Sequence, residues 1–541
     1  MSILPTRAVM SAMAIAMTIG LSSAAEAQRT RTRVTPYIEL QEVISADLNG
    51  GDVLTYTAVA VGADASVQTR RVQAQISYRY EHRFGTSGSL ASQNVHSGLA
   101  AARYNVSRNL AIDAGALATR ARTDFGGDAP GLASADSSNL SQVFAAYAGP
   151  SVSGRAGSVA LNASYRLAYV AVDTNDDLFL GGQPVSGRSR LDRYTDSVSH
   201  QFTVSAGMAP GQLPFGWTIG GGYSREDADT LNQRFEGAYI RGDVVVPVSP
   251  TLALTAGVGY ENIEQSQQDY QRGPDGLPLL DRRGQLIADR TRPRLRAVDI
   301  DGVIYDGGVI WRPTRRTELQ LRAGHRYGGT SVTGSLNHQI DSASGIQVLL
   351  YDSVSSFGRG IINDLDSLPT SFTLPRNQLI GGPNGCVFGG EAGSGVCFDD
   401  SLQSITSANF RNRGISALYS RQRGPWNLGI GANYARRNYL TPDDGGVFSL
   451  EDVTDESAGI QAALGRRLSR NSGLDFDAYA QWNGSGLIGS SDLWALGATG
   501  TYYRNFSDRL HGQFSLGLYN TSADEFDSTV ASALLGIRYS F

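Results

Sequence analysis

The six histidines are the first candidates for catalysis or metal binding, because imidazole acts both as a general base and as a metal ligand. They are His82, His96, His200, His325, His338 and His511. They occur singly, without the spacing of a metal site. The chain has no lysine, so its 46 basic residues are all arginine. This excludes P-loop phosphate binding, Schiff-base chemistry and Ser-x-x-Lys nucleophiles. We predict no catalytic site, no cofactor and no metal.

One acidic stretch, residues 173–177, is similar to the start of a calcium-binding loop. Leu178 stands where the turn glycine of such a loop belongs, and Pro184 stands where the closing glutamate belongs. The pattern therefore favours a solvated external loop over a calcium site.

The amino terminus has the features of a secretory leader. Arg7 precedes an apolar run over residues 8–21, and Ala25-Glu26-Ala27 forms an A-x-A cleavage site. The alternative is a membrane anchor, but this run is short for a span, which needs about 20 apolar residues. We predict a signal peptide over residues 1–27, cleaved to leave Gln28 first, and export through the inner membrane.

The two cysteines, Cys386 and Cys397, lie in a glycine-rich segment. In an exported chain, a lone pair this close predicts a disulfide within a loop. A metal site is the alternative, but no histidine lies nearby.

Composition excludes two classes of function. The formal net charge of −5 argues against nucleic-acid binding, which needs a concentrated basic face. Beyond the leader no apolar run is long enough for a transmembrane helix, and the mean hydropathy is −0.21. Strands could still cross a membrane, because their signal is alternation. The 64 glycines and 24 tyrosines suit strands closed into a barrel with aromatic girdles.

The last stretch, residues 529–541, alternates in this way. Phe541, Tyr539, Ile537 and Leu535 share one face of an extended strand, and the other face is polar apart from Leu534. The stretch resembles the closing strand of bacterial outer-membrane β-barrels. That resemblance implies that Tyr539 and Phe541 are the signal read by the barrel-assembly machinery. A soluble amphipathic strand is the alternative.

The same alternation recurs from residue 34 onward, with connections that are alternately short and long. Residues 72–80 give the cleanest example. Pairing these segments predicts about eleven hairpins. The predicted fold is all-β: a transmembrane antiparallel up-and-down β-barrel of about 22 strands (20–24) without a plug domain. Residues 28–541 would form this single barrel, with both termini in the periplasm and long external loops at about 264–297 and 353–410.

If the apolar faces meet lipid, the alternate residues line the lumen. The predicted lumen charge network consists of Arg79, Asp113, Arg166, Glu318, Arg322, Arg326, Asp475, Asp477 and Arg538, with Tyr479 beside it. Such charges could filter solutes, or they could simply pair and hold the shape of the barrel.

Several strand-end motifs resemble the outer-membrane β-barrel family associated with PEP-CTERM and exopolysaccharide loci. They are Gly259-Tyr260-Glu261, Trp311-Arg312-Pro313-Thr314, Gly324-His325-Arg326-Tyr327-Gly328-Gly329, Leu418-Tyr419-Ser420-Arg421 and Tyr434-Ala435-Arg436-Arg437-Asn438-Tyr439. The resemblance covers most of the mature chain and implies a surface-polysaccharide context, but it assigns no functional residue.

We therefore expect an outer-membrane pore or scaffold for transport or export of a polar solute or polysaccharide, with outer-membrane lipid and the assembly machinery as partners. The alternatives are a passive general porin, an outer-membrane hydrolase with a Ser-His-Asp or similar site on its loops, and a secreted soluble β-protein. A TonB-dependent receptor would also have about 22 strands, but it needs an amino-terminal plug, and here the alternation starts soon after Gln28.

Overall fold

The computed structural model describes residues 31–51, 53–87, 92–122, 140–173, 194–274, 278–281, 285–374, 379, 385–442, 453–486, 491–524 and 526–541. In this part of the chain 22 antiparallel strands form one sheet, and its last strand pairs with its first, with Tyr37 opposite Ser540. The ring is therefore closed, and the predicted number of strands is found. The predicted leader, and Leu178 and Pro184 of the calcium-like stretch, lie outside the described residues.

In chain order the strands are β1 (Arg31–Asp47), β2 (Val53–Gln68), β3 (Val72–Ser87), β4 (Gln93–Asn105), β5 (Leu110–Arg122), β6 (Leu140–Ala156), β7 (Val159–Asp173), β8 (Asp196–Met208), β9 (Gly216–Ala228), β10 (Gln233–Pro247), β11 (Leu252–Gln267), β12 (Asp269–Tyr270), β13 (Ala288–Asp289), β14 (Leu295–Thr314), β15 (Thr317–Arg326), β16 (Gly329–Asp341), β17 (Ser344–Ser355), β18 (Phe372–Thr373), β19 (Cys386–Gly389), β20 (Gly395–Cys397), β21 (Asn409–Arg423), β22 (Trp426–Leu440), β23 (Thr454–Arg467), β24 (Ser472–Ser485), β25 (Leu493–Asn505), β26 (Leu510–Ala523) and β27 (Phe526–Ser540). The ring contains all of these except β12, β13, β18, β19 and β20. The helices found among the described residues are a 3-10 turn (Thr230–Asn232) and α1 (Phe357–Ser367).

Side chains alternate between the outside of the ring and its lumen. Leu40, Ile240, Val258 and Leu535 point outward, and each is more than half exposed. A row of large apolar side chains facing water would be unfavourable, whereas the same row facing lipid is stabilising. Closure also pairs every strand edge, which a bilayer requires of any β-structure that crosses it. The chain is an outer-membrane β-barrel. No helix among the described residues is long and apolar enough to cross a membrane.

The connections differ between the two ends of the barrel. The end that holds the start of β1 and the end of β27 carries the short turns, such as those at Gly157 and Gly424, whose φ angles of 64° and 62° suit glycine. Short turns mark the periplasmic end of such barrels. The opposite, outer end carries the long connections. Residues 268–294 join β11 to β14 there and contain the β12–β13 hairpin.

The largest departure from prediction is the position of residues 356–374, 379 and 385–408, which we call the luminal segment. It leaves β17 at the outer end and enters the barrel, where Phe357, Ile361, Leu365 and Phe398 are fully buried against the wall. The prediction of a barrel without a plug, with this segment as an external loop, is therefore wrong. The reason is physical: the segment and part of the inner wall carry complementary apolar surfaces, which hide each other from water.

Apolar packing inside the lumen also explains why Leu534, an apolar residue, lies on the inward face of β27. It is the one apolar exception on the polar face of that strand, and it packs in the lumen with Val43, Tyr56 and Leu379. Its side chain is buried by protein and meets neither lipid nor water.

Candidate functional site

The lumen is the candidate functional site, and its first feature is the apolar contact that holds the luminal segment. Helix α1 contacts β5 to β8, and its Phe357, Ile361 and Leu365 join one apolar cluster with inward residues of β4 to β7. The inner faces of β4 to β7 are apolar here instead of polar. Their contributions to the cluster are Leu99, Ala101, Leu117, Ala121, Val143, Ala145, Tyr147, Ala168, Val170 and Val172. Each large side chain buried in this way contributes about 1.5–3 kcal/mol, so the contact fixes the segment on one side of the lumen.

Polar contacts anchor the segment at the outer end. Ser356 caps α1 by accepting a hydrogen bond from the backbone N–H of Arg359 at 3.1 Å, and its hydroxyl donates to Glu226 of β9 at 2.5 Å. The Arg359 guanidinium donates to Glu226 at 3.0 Å and to Asn409 at 2.7 Å. Arg359 therefore ties the entrance of the segment both to its exit and to the barrel wall.

The cysteines lie on β19 and β20 of the segment, after α1 in the chain. Cys386 and Cys397 face each other across the β19–β20 pair and form a disulfide. Inward glycines of the wall make room for this hairpin. A Cβ atom on Gly431 would overlap Cys386, and one on Gly429 would overlap Phe388. At the hairpin tip the backbone N–H of Gly393 donates to Ser420, near the periplasmic end of β21, at 2.7 Å. The segment thus spans most of the depth of the lumen.

A salt bridge joins the carboxyl-terminal end of α1 to β7 of the wall. Arg166 of β7 lies 2.7 Å from Asp366, measured from Nη2 to Oδ2, and its Nη1 donates to Gln201 at 3.3 Å. Burial raises the pKa of the Asp366 carboxyl, while the guanidinium lowers it. This pair lies outside the apolar contact and is reached by water.

Two of the predicted lumen charges lie in compact groups on the wall. Arg322 and its neighbour Arg241 both contact Asp243 and Asp306, at nitrogen–oxygen distances between 2.6 and 3.1 Å. Arg79 contacts Glu39 and Glu81, beside the fully buried Arg83. Such mutual pairing holds the wall in shape.

The other predicted charges also face the lumen. Arg326 contacts Glu261 at 3.0 Å, and Arg538 contacts Asp64 at 2.5 Å. Asp113 accepts a hydrogen bond from Ser151 at 2.7 Å, and Glu318 accepts one from Arg312 at 2.9 Å. Asp475, Asp477 and Tyr479 lie on β24. The structure therefore brings the predicted residues together as local pairs around the ring and not as one eyelet.

Space remains on the side of the lumen that the segment leaves uncovered. A cavity of about 170 Å³ lies between α1 and β7 to β11. A wider vestibule of about 660 Å³ lies below it, near the short turns of the periplasmic end. Both are lined by Arg166, Thr203 and Tyr239, so they adjoin each other. A polar route thus runs from the periplasmic end to the face of α1.

Two half-buried carboxyls of the luminal segment have strongly raised pKa values. Burial raises the pKa of Asp364 to about 8 and that of Asp399 to about 7, and the neighbouring Asp400 adds repulsion in both cases. Asp364 accepts a hydrogen bond from the Ser401 hydroxyl at 2.5 Å. The two carboxyls lie where the segment folds back on itself. Ionisation of either one therefore weakens the packing of the segment.

The histidines form no site in the described part of the chain. His82 contacts Asn94, His200 contacts Tyr165 and His338 contacts Thr317, each through one hydrogen bond, and these pairs are far apart in the ring. The one group of possible metal ligands found among the described residues is Cys386, Cys397 and Asp399, and its sulfur atoms are already joined in the disulfide.

Sequence reasoning missed Ser356, Arg359, Asp364 and Asp366, because the segment was assigned to an external loop. A signal was present. Apolar residues at 357, 361, 362 and 365 have helical spacing, and Ser356 stands at the capping position before them.

Comparison with known proteins gives similarity at the level of fold. No protein-family profile matches the chain, and no curated protein matches it. Among solved structures it is similar to the FrpB iron transporter of Neisseria meningitidis (11% identity, 94% of this chain, 82% of that chain, TM-score 0.45). It is also similar to the alcaligin outer-membrane receptor FauA of Bordetella pertussis (10%, 93%, 76%, 0.40) and to the closed form of the ferric-catecholate import receptor Fiu of E. coli K12 (9%, 93%, 81%, 0.44).

By their names these proteins are an iron transporter, an outer-membrane receptor and an import receptor. At this identity the similarity concerns architecture, and the cargo of those proteins is not carried over to this chain.

Proposed function

We propose that this protein is a gated outer-membrane transporter for a polar solute, and that the luminal segment is its gate. The observation that carries the proposal is the asymmetry of the lumen. One side is sealed by apolar packing against α1, and the other side keeps a polar route from the periplasmic end up to the helix. A passive porin would need an open lumen, so this arrangement favours controlled passage.

The contacts of the segment support a gate. Its ends are adjacent, because Ser355 of β17 pairs with Phe410 of β21 in the wall. The ring is continuous without the segment, so the segment can shift while the barrel stays intact. Its polar attachments to the wall form separate groups. They are Glu226–Ser356–Arg359 at the outer end, Arg166–Asp366 beside the route, Asp400 with Tyr351, Asn412 and Arg437, and the backbones of Phe372, Cys386 and Gly393 with Gln75, Gln461 and Ser420.

The resemblance to barrels of exopolysaccharide loci favours a sugar polymer or its units as the cargo. Polar side chains and tyrosines on the route suit a hydrated solute of this kind, because hydroxyl groups can exchange water for protein hydrogen bonds. The opening of the vestibule toward the periplasmic end supports loading from that side, and hence export.

Planar-bilayer conductance tests the gate. In one variant, residues 357–408 are replaced by a short glycine-containing turn joining β17 to β21. We expect small or rare openings for the intact protein and a large steady conductance for the variant. Heat-modifiability on gels shows whether each barrel is folded. Equal conductance of two folded barrels would contradict a gating role and favour a static scaffold.

A further inference from the structure

We infer that the cavity between α1 and β7 to β11 is a binding subsite for one uncharged or weakly charged sugar ring. The inference rests on the proposed function and names the class of solute that the route takes. The first observation is the size of the cavity. Its volume of about 170 Å³ is comparable to that of cavities that hold one six-membered ring.

Charge excludes a site built for strong anions. Four guanidiniums border the cavity, and each already contacts a carboxylate: Arg166 with Asp366, Arg225 with Asp227, Arg326 with Glu261, and Arg359 with Glu226. The four pairs carry no net charge together. A polyanion would gain little attraction here and would lie close to Glu261.

The polar groups of the cavity that make no hydrogen bond within the described structure are suited to binding the hydroxyl groups of a ligand. Among the described residues, none accepts a hydrogen bond from either Nη nitrogen of Arg326, whose Nε alone is used. The side chains of Ser199, Ser224 and Asn363, which also line the cavity, make no hydrogen bond within the described structure. Arg326 offers donors only, whereas the two hydroxyls and the amide both donate and accept. Sugar hydroxyls, which also do both, can satisfy such a set.

Tyr239 supplies an aromatic surface. Its ring lies over Gly222 of the neighbouring strand, where a Cβ atom would come within 2.6 Å of it, so glycine is what lets the ring lie there. The Arg326 guanidinium lies 5.4 Å from the ring centroid and fixes it from one side. An aromatic ring beside mixed donors and acceptors suits the apolar face of a sugar together with its hydroxyls.

Saturation-transfer NMR on the mature protein in a detergent without a sugar headgroup tests the subsite. The probes are maltotriose as a neutral sugar, glucuronate as a singly charged sugar and citrate as a ring-free polyanion. We expect transfer to both sugars and none to citrate. No binding of either sugar, or citrate binding as well as maltotriose, would overturn the inference.

Two matched variants assign the binding to the cavity. Tyr239→Ala should weaken maltotriose binding about tenfold, the effect of losing roughly 1.4 kcal/mol. Tyr260→Ala removes the same side chain from the outer face of the neighbouring strand β11 and should leave binding unchanged. Equal binding by both folded variants would contradict the subsite. The conductance test does not depend on sugar binding, so the gate can stand even if the subsite fails.

Discussion

Arg166 on the barrel wall and Asp366 at the end of the luminal helix form a salt bridge of 2.7 Å beside the polar route. About a quarter of each side chain is exposed, so the pair should add no more than about 1 kcal/mol to stability. Its position matters more than its strength, because it joins the movable segment to the wall at a point outside the apolar contact.

We therefore predict that Asp366→Asn increases the frequency of channel opening severalfold with little change in barrel stability. Exchanging the charges in the double variant Arg166→Asp/Asp366→Arg should restore the closed behaviour. Single-channel recording measures both. The control is Arg312→Gln, which breaks a pair near the periplasmic turns that does not touch the segment. An unchanged opening frequency in Asp366→Asn would exclude this pair as a latch.

A second prediction concerns pH. The folded pKa of Asp364, about 8, lies above its ordinary value of 3.8, so the folded segment binds more protons than the free segment between these values. Packing is therefore most stable below about pH 4 and weakens as the pH rises toward 8. Asp399, with a pKa of about 7, acts in the same direction.

We expect conductance and protease cleavage within the segment to rise between pH 6 and 9, a range that brackets these two pKa values. Asp364→Asn should reduce this rise, because the amide stays neutral. Asp289→Asn, on the outer connection, is the matched control. If the rise is the same in Asp364→Asn, the Asp364 carboxyl does not control the packing.

A third prediction concerns the hairpin that carries the disulfide. Gly431→Val should force Cys386 away from the wall, since even a Cβ atom at this position overlaps its sulfur. Cys386 is buried, and displacement would expose the disulfide to reductant. We expect reduction by dithiothreitol to become at least about tenfold faster, which corresponds to roughly 1.4 kcal/mol of easier opening.

Thiol labelling followed by mass spectrometry measures the rate. Gly242→Val provides the control, because a Cβ atom there meets nothing within 4 Å. Equal reduction rates in the two variants would show that the hairpin is not seated on Gly431.

A fourth prediction concerns assembly. Phe541→Ser should lower the amount of folded barrel in outer-membrane fractions severalfold, because it removes the aromatic terminus that we expect the assembly machinery to read. Phe506→Ser, at an exposed turn of the same end, should have a much smaller effect. Heat-modifiability gels measure folded and unfolded protein together, and equal yields would rule out a signal at Phe541.

The ring could be predicted from sequence because lipid and lumen impose opposite requirements on alternate residues. Leu535 and Arg538 on β27 show this clearly, with one in lipid and the other paired with Asp64. Alternation of apolar and polar residues cannot identify a strand whose two faces are both apolar. In β4 the inward Leu99 and Ala101 pack under the luminal segment, so the alternation is lost and the pattern does not identify this strand.

The contents of the lumen could not be predicted for a related reason. Polar and glycine-rich residues dominate the stretch around the cysteines, and such composition normally indicates an external loop. What places it inside is the match between Phe357, Ile361 and Leu365 and the apolar inner wall, which is a contact between residues far apart in sequence. Pairing of that kind cannot be read from local composition.

The hydroxyls of Ser45 and Ser532 lie 2.8 Å apart, although almost the whole chain separates them. Until β1 pairs with β27, every partly formed sheet has two unpaired edges and an exposed apolar outer surface. Both make it prone to aggregation. Completion must wait for the final strand to leave the translocation pore. We therefore expect the nascent polypeptide to depend on periplasmic chaperones throughout its transit, and their depletion to deplete this protein early.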